Sequence, residues 1–193
     1  KTLAEYQPIK IGLQGGRDHM TRDQAKAFYE EALRVEQQIG IPVSHETHRG
    51  RPLFTPWDSA FYASELPRLK FVADYSHWVN VCERLPNDHQ DSIDRVNAQV
   101  FHVHARVGYE EGPQVPDPSA PEYASQLAWH ENQWQAIIRA RQQAGDALMT
   151  VTPEYGPPGY LHTLPHTNVP VADLWEVCLW GAKRFRRLFA ETV

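Results

Sequence analysis

Cysteine and methionine are scarce in this chain of 193 residues, at two each. Two cysteines, Cys82 and Cys178, cannot build a disulfide framework and fit a reducing compartment, which points to the cytoplasm. No apolar run approaches the roughly 20 residues of a membrane span, so no membrane partner is expected. There is no Gly-x-Gly-x-x-Gly after a strand, no Walker loop and no Gly-x-Ser-x-Gly elbow. Those absences argue against a dinucleotide enzyme, a P-loop NTPase and a serine hydrolase. Without Cys-x-x-Cys or His-Glu-x-x-His, a structural zinc knot is not indicated either. Positive charge is in deficit, with 19 Lys and Arg against 24 Asp and Glu and a net charge of -5. An acidic chain of this kind is a poor ligand for nucleic acid. A hydrophobic fraction of 41% with 15 Pro excludes disordered, collagen-like and coiled-coil chains.

What is present in excess is histidine, at 10 residues, and its placement follows a pattern. Short apolar runs at Ile9–Leu13, Ile41–Val43, Phe71–Ala73, Val100–Val103 and Ala147–Val151 predict five buried strands. Between them, helical spacing predicts helices over Thr21–Ile39, from Thr55-Pro56 onward, and over Glu83–Ala98, Glu122–Gln143 and Leu174–Thr192. Thr21 with Gln24 makes a capping box, and Gly40 is a natural stop. Strands alternating with helices predict a parallel sheet with right-handed crossovers in a single domain over residues 1–193. The Pro-rich stretch Gly108–Glu122 is an unusually long loop, and such loops often carry function.

Four of the five strands end in metal-competent side chains. The second ends Ser44-His45-Glu46-Thr47-His48 and the third Asp74-Tyr75-Ser76-His77. The fourth runs His102-Val103-His104-Ala105-Arg106, where period two puts His102, His104 and Arg106 on one side. The fifth ends Thr152-Pro153-Glu154. Parallel α/β folds gather ligands at the carboxyl ends of their strands. Carboxylates and imidazoles are too costly to bury there without a partner. Glu46, Asp74, His104 and Glu154 together form a mixed oxygen and nitrogen set suited to one divalent cation, Mn²⁺, Mg²⁺, Co²⁺ or Zn²⁺. A cation beside carboxylates with free oxygens can polarise a carbonyl while a proton moves next to it. Protonation of His104 should release the cation, so activity is expected to fall below roughly pH 6. His48 and His102 sit at the same strand ends. Trp78, with Trp57, follows a strand end closely enough to line a pocket. Trp129, Trp134, Trp175 and Trp180 read as core residues of helices, and His19, His89 and His130 as solvated histidines.

The segments Ser-His-Glu-Thr-His-Arg-Gly at 44–50, Ala-Asp-Tyr-Ser-His-Trp at 73–78, His-Val-His-Ala-Arg at 102–106 and Thr-Pro-Glu-Tyr-Gly at 152–156 resemble the sugar phosphate isomerase/epimerase family. The resemblance spans nearly the whole chain. It implies an α/β fold, a (β/α)8 TIM barrel of the xylose-isomerase-like type, with the first three βα units lacking before Lys1. It also implies that Glu46, Asp74, His104 and Glu154 are the metal ligands, and that Glu46 and Glu154 exchange the proton through an enediolate. His77 and Arg106 would then bind substrate, joined in the site by His48, Trp78 and His102. The expected substrate is a small sugar or polyol derivative. A dehydratase on the same scaffold and a non-catalytic sugar-binding module stay open as alternatives. An apurinic-site endonuclease is opposed by the negative charge. An open sheet with two exposed edges leaves a homo-oligomer open as well.

Overall fold

The computed structural model describes residues 2–193; Lys1 lies outside the described residues. After a single helical turn, α1 (Thr2–Glu5), come five strands: β1 (Ile11–Leu13), β2 (Val43–Glu46), β3 (Lys70–Ala73), β4 (Val100–His104) and β5 (Thr150–Thr152). They pair in sequence order and every pair is parallel. The crossovers carry α2 (Arg22–Ile39), α3 (Pro56–Glu65), α4 (Ser76–Cys82), α5 (Gln90–Asn97) and α6 (Ala124–Gln143), and α7 (Leu174–Thr192) closes the chain.

The sheet bends. Lys10, just before β1, reaches across the concave face to donate to the carbonyl of Phe101 in β4 at 2.6 Å. A side-chain carbon placed on Gly12 would lie 3.5 Å from Val72, two strands away. Even so, the expectation of a (β/α)8 barrel is not met. A closed barrel pairs every strand on both sides, whereas β1 and β5 each have one neighbour. The sheet is an open, five-stranded, all-parallel half-barrel.

The local signals act largely where the sequence places them. Thr21 and Gln24 form the reciprocal capping box of α2, and Gly40 ends it in the left-handed conformation at φ 66°. Thr55 caps α3 ahead of Pro56. Strands β2 and β4 end later than their apolar runs suggest, so that Glu46 and His104 are their last residues. The helix expected over Glu83–Ala98 begins only at Gln90. Pro86 interrupts it, and a 3₁₀ turn at Asn87–His89 leads into α5. The short α4 ahead of it carries too little apolar pattern to be read.

A β-bulge sets the faces of β4. Phe71 pairs with Val100 but Val72 pairs with His102, so Phe101 is the extra residue. Val100 and Val103 therefore both point to the convex side, fully buried with Phe71 and Ala73. There α5 supplies Ile93 and Val96, α6 supplies Ile137 and Ile138, and α7 supplies Phe185 and Leu188. The concave side carries polar groups among apolar ones. A hollow of about 330 Å³ is lined by Lys10, Ser44, His102, His104 and Thr150 together with Ile9, Ile11, Gly12 and Val72.

Four aromatic or histidine expectations change. Trp78 does not line a pocket: it is fully buried, stacks on Tyr75 at 4.2 Å and donates its indole N–H to the Leu53 carbonyl. Trp175 is 72% exposed rather than core. His45 turns to the convex side against Tyr29. His130 is fully buried, with Nε2 accepting from the Gly108 N–H and Nδ1 facing the Gln126 carbonyl. Among the described residues no helix is long and apolar enough to cross a membrane.

The buried stack makes a stability prediction. Trp78→Ala should cost about 3–5 kcal/mol, while Trp57→Ala, at a 40% exposed ring, should stay within about 0.5 kcal/mol. Urea unfolding of both proteins checks this, and equal effects would remove Trp78 from the core.

Candidate metal centre at the strand ends

Alternation along β2 sends Ser44 and Glu46 to the concave side and His45 to the helices. The same alternation, past the bulge, sends His102 and His104 inward. Beyond the strands, side chains take over from the ladder. The Thr47 hydroxyl accepts from the Asp74 N–H at 2.9 Å and lies 3.0 Å from the Asp74 carbonyl. This clamp extends the β2–β3 pairing to Asp74. Ala105 continues β4 against β5 by donating to the Thr152 carbonyl at 2.8 Å. Gln114, from the long loop, holds Gly156 at both ends, accepting from its N–H at 2.7 Å and donating to its carbonyl at 3.1 Å. The Glu154 segment is thereby tied to the loop that follows β4.

These supports bring Glu46, Asp74, His104 and Glu154 together, with one ligand atom of each within 4.8 Å of all the others. His104 Nδ1 stands at the centre, 3.8 Å from Glu46, 4.0 Å from Asp74 and 2.5 Å from Glu154. The 2.5 Å approach is not aligned for a hydrogen bond, and His104 Nδ1, Glu154 Oε2 and Glu46 Oε1 all lack a partner. Buried polar atoms seldom go unpaired. Donor atoms that crowd toward one point without an aligned bond between them are what a set of metal ligands looks like. The donor chemistry, three carboxylates and one imidazole, fits a hard to borderline divalent ion.

The electrostatics agree. Burial pushes the Asp74 carboxyl up, but the Arg106 guanidinium, His77, His104 and the Ser76 hydroxyl outweigh it and hold Asp74 at about 2. Burial also opposes charge on His104. The carboxylates of Glu154 and Glu46 close to its ring, with that of Asp74 beyond, overcome it and lift His104 to about 10. In the metal-free protein, the imidazolium of His104 thus carries a positive charge at the point where the carboxylates meet.

The remaining predicted residues divide. Arg106 is not open to a substrate. It is buried, ion-paired to Asp74, and donates to Ser76 at 3.2 Å and to His77 Nε2 at 3.0 Å, with Tyr160 stacked beneath it at 4.9 Å. His77 is also fully buried, and desolvation keeps it neutral, at about 3. His102 has both ring nitrogens engaged by Thr150 and Thr152 on β5, at 2.6 and 3.1 Å, and stays outside the ligand cluster. Trp78 is in the core. His48 is half-buried at the site, its ring 3.9 Å from that of His77.

Sequence reasoning missed Gln14, whose amide donates to Glu46 Oε2 at 3.0 Å. It follows β1 directly, so the strand-end rule that picked out the four candidate residues applies to it. Thr47, Ser76 and Tyr160 were also missed. Thr47 and Tyr160 act on neighbours from other segments, Ser76 donates to Asp74 and accepts from Arg106, and no local motif marks them.

The Arg106–Asp74 pair predicts a pH signature. The folded carboxyl lies below its ordinary ~3.9, so its stabilisation is complete above that pH and is lost as pH falls toward 2. Arg106→Met leaves a buried charge alone and should cost about 3–5 kcal/mol at neutral pH. It should also flatten or reverse the loss of stability on acidification. Urea midpoints between pH 2 and 7 in the presence of chelator measure both, and an unchanged acid slope would contradict the pairing. Comparison of the chain with protein-family models and with curated proteins returned no match.

Proposed function

We propose that this chain is a divalent-metal-dependent isomerase or epimerase of a small sugar or polyol derivative, moving a proton on the carbon next to a carbonyl. The observation that carries the reading is the convergence of Glu46, Asp74, His104 and Glu154 on one point, with three of their atoms left unpaired. A bound divalent cation would polarise the substrate's carbonyl and neighbouring hydroxyl. The chain's own groups do the rest. Glu154, whose side chain is 36% exposed at the mouth, would take the proton from the carbon. Glu46 arrives from β2, three strands away, with Oε2 oriented by Gln14 and Oε1 unpaired. That second oxygen is available to return a proton. Asp74, tied to Arg106 and Ser76, is held ionised and still, as a ligand rather than a base. The two free cysteines favour a cytoplasmic setting for this chemistry.

Cation binding must displace the proton from His104. Because His104 is held at about 10 in the metal-free protein, the competition is not confined to acid, as its ordinary value would imply. About one proton should be released per cation at neutral pH, and affinity should rise about tenfold per pH unit between roughly 7 and 9. Calorimetry with Mn²⁺ in buffers of different ionisation enthalpy reads the proton count. Failure to bind close to one equivalent at any of these pH values would remove the metal-dependent reading.

Glu154→Gln should lower solvent deuterium incorporation into a turned-over sugar by about 10²–10⁴ while the fold persists. Retained exchange would take Glu154 out of the proton transfer. Tight sugar binding that survives chelation, with no exchange in the wild type, would instead favour a binding module.

A further inference from the structure

The two unpaired edges of the sheet each carry an apolar groove on the convex side. At β1 the groove encloses about 440 Å³ between the strand and α2, lined by Ile11 and Leu13 and by Phe28, Ala32, Val35 and Ile39. At β5 a groove of about 300 Å³ lies between the strand and α7, lined by Met149 and Val151 and by Ala182, Phe185 and Phe189. Leu13, Val35, Ile39, Val151 and Phe189 are all exposed there. Trp175 and Val193, exposed as well, fall on the same stripe of α7 as Ala182 and Phe189. Contiguous apolar strips of this kind mark contact with another chain.

The grooves differ in charge. Glu31, braced by Arg34, stands on the rim of the first, and Arg186 on the rim of the second. Around Arg186 the run Lys183–Arg187 carries four cations, of which Arg184 alone is ion-paired among the described residues. The backbone edges match too. The Ile11 N–H is spent on the Pro42 carbonyl, and the Thr152 carbonyl on the Ala105 N–H. Alternation then turns the N–H and C=O of Gly12 on β1, and of Val151 on β5, outward from the sheet edge.

We propose that the β1 edge of one copy docks beside the β5 edge of a second copy, strand parallel to strand. A two-fold axis along the barrel repeats the contact and closes the two half-barrels into one ring. Like edges would not serve. Joining β1 to β1 sets Glu31 against Glu31, and joining β5 to β5 sets two basic runs together. The unlike pairing lays α2 of one copy against α7 of the other, apolar stripe on apolar stripe, with Glu31 facing Arg186. It also continues the strand–helix order of each copy, in which neighbouring units pack side by side. Making the contact twice doubles the buried area, toward the roughly 1,600 Å² of a stable interface. Closure leaves no free edge. It also brings Glu154, which follows β5, beside Gln14 of the second copy, which follows β1, so each strand-end mouth gains a wall from the other copy.

Sedimentation equilibrium across micromolar concentrations reads the mass with no cation or sugar present, so the outcome is independent of the metal-dependent reading. The wild type should sediment at twice 22.2 kDa. Val35→Arg and Phe189→Arg should each yield the monomer, and Ile39→Arg repeats the first should it fail to fold. Glu31→Arg and Arg186→Glu should each weaken the pairing about tenfold, and both reversals in one chain should restore it. A wild-type monomer at every concentration leaves the edges to some other segment or chain and overturns the proposal. A dimer indifferent to these variants sits on another surface and overturns it as well. A dimer weakened by only one reversal, or not rescued by the two together, joins other faces and refutes the unlike pairing. Species that keep growing with concentration form an open chain and refute the closed ring.

Discussion

A carboxylate as deeply buried as Asp74 can remain charged only in cationic company, and much of this molecule is arranged around meeting that demand. Arg106 is brought from the far end of β4, Ser76 from the opening of α4, and His77 from one residue further on. The Thr47 clamp fixes the backbone that carries the group. Pairing of this kind stabilises little overall, because both charges lose their hydration. What it yields is position: an anion held still, with one side facing His104 and the other carboxylates.

The same trade appears across the concave face. A parallel sheet normally hides both faces behind apolar side chains. Here the convex face does so, with Phe71, Ala73, Val100 and Val103 under the helices, and the concave face does not. Lysine, serine, threonine and two histidines stand there beside Ile9, Ile11, Gly12 and Val72. Stability is supplied on one side and chemistry on the other. The two sides are joined by short strands whose register cannot slip without exchanging them.

This division was readable to different depths. The β/α alternation was legible because each helix carries its own stop and start: the Thr21–Gln24 box, the Gly40 stop, the Thr55-Pro56 opening. The convergence of Glu46, Asp74, His104 and Glu154 was legible because they lie at the ends of successive strands, and parallel strand ends share a rim. What one sequence could not show was number and closure. Nothing local in Ile11–Leu13 or Thr150–Thr152 says whether another strand lies beside it, and the barrel expectation came from resemblance alone. The burial of Arg106 and Trp78 was not legible for a related reason. Both lie beside site residues in sequence, but burial is a property of neighbours from α3, α5 and the loops, and their side chains turn inward to meet them.

The extra residue in β4 has a consequence for how the chain tolerates change in length. In a strand with unbroken alternation, losing or gaining one residue would turn every imidazole beyond it to the wrong face. Phe101 already stands outside the alternation, between Val100 and His102, each of which keeps its own partner on β3. The strand could shorten by one at that point and still present His102 and His104 to the hollow and both valines to the helices. Indels elsewhere in β4 would be ruinous to the site. At position 101 a single deletion would be absorbed, which makes it the natural seam for shortening this strand.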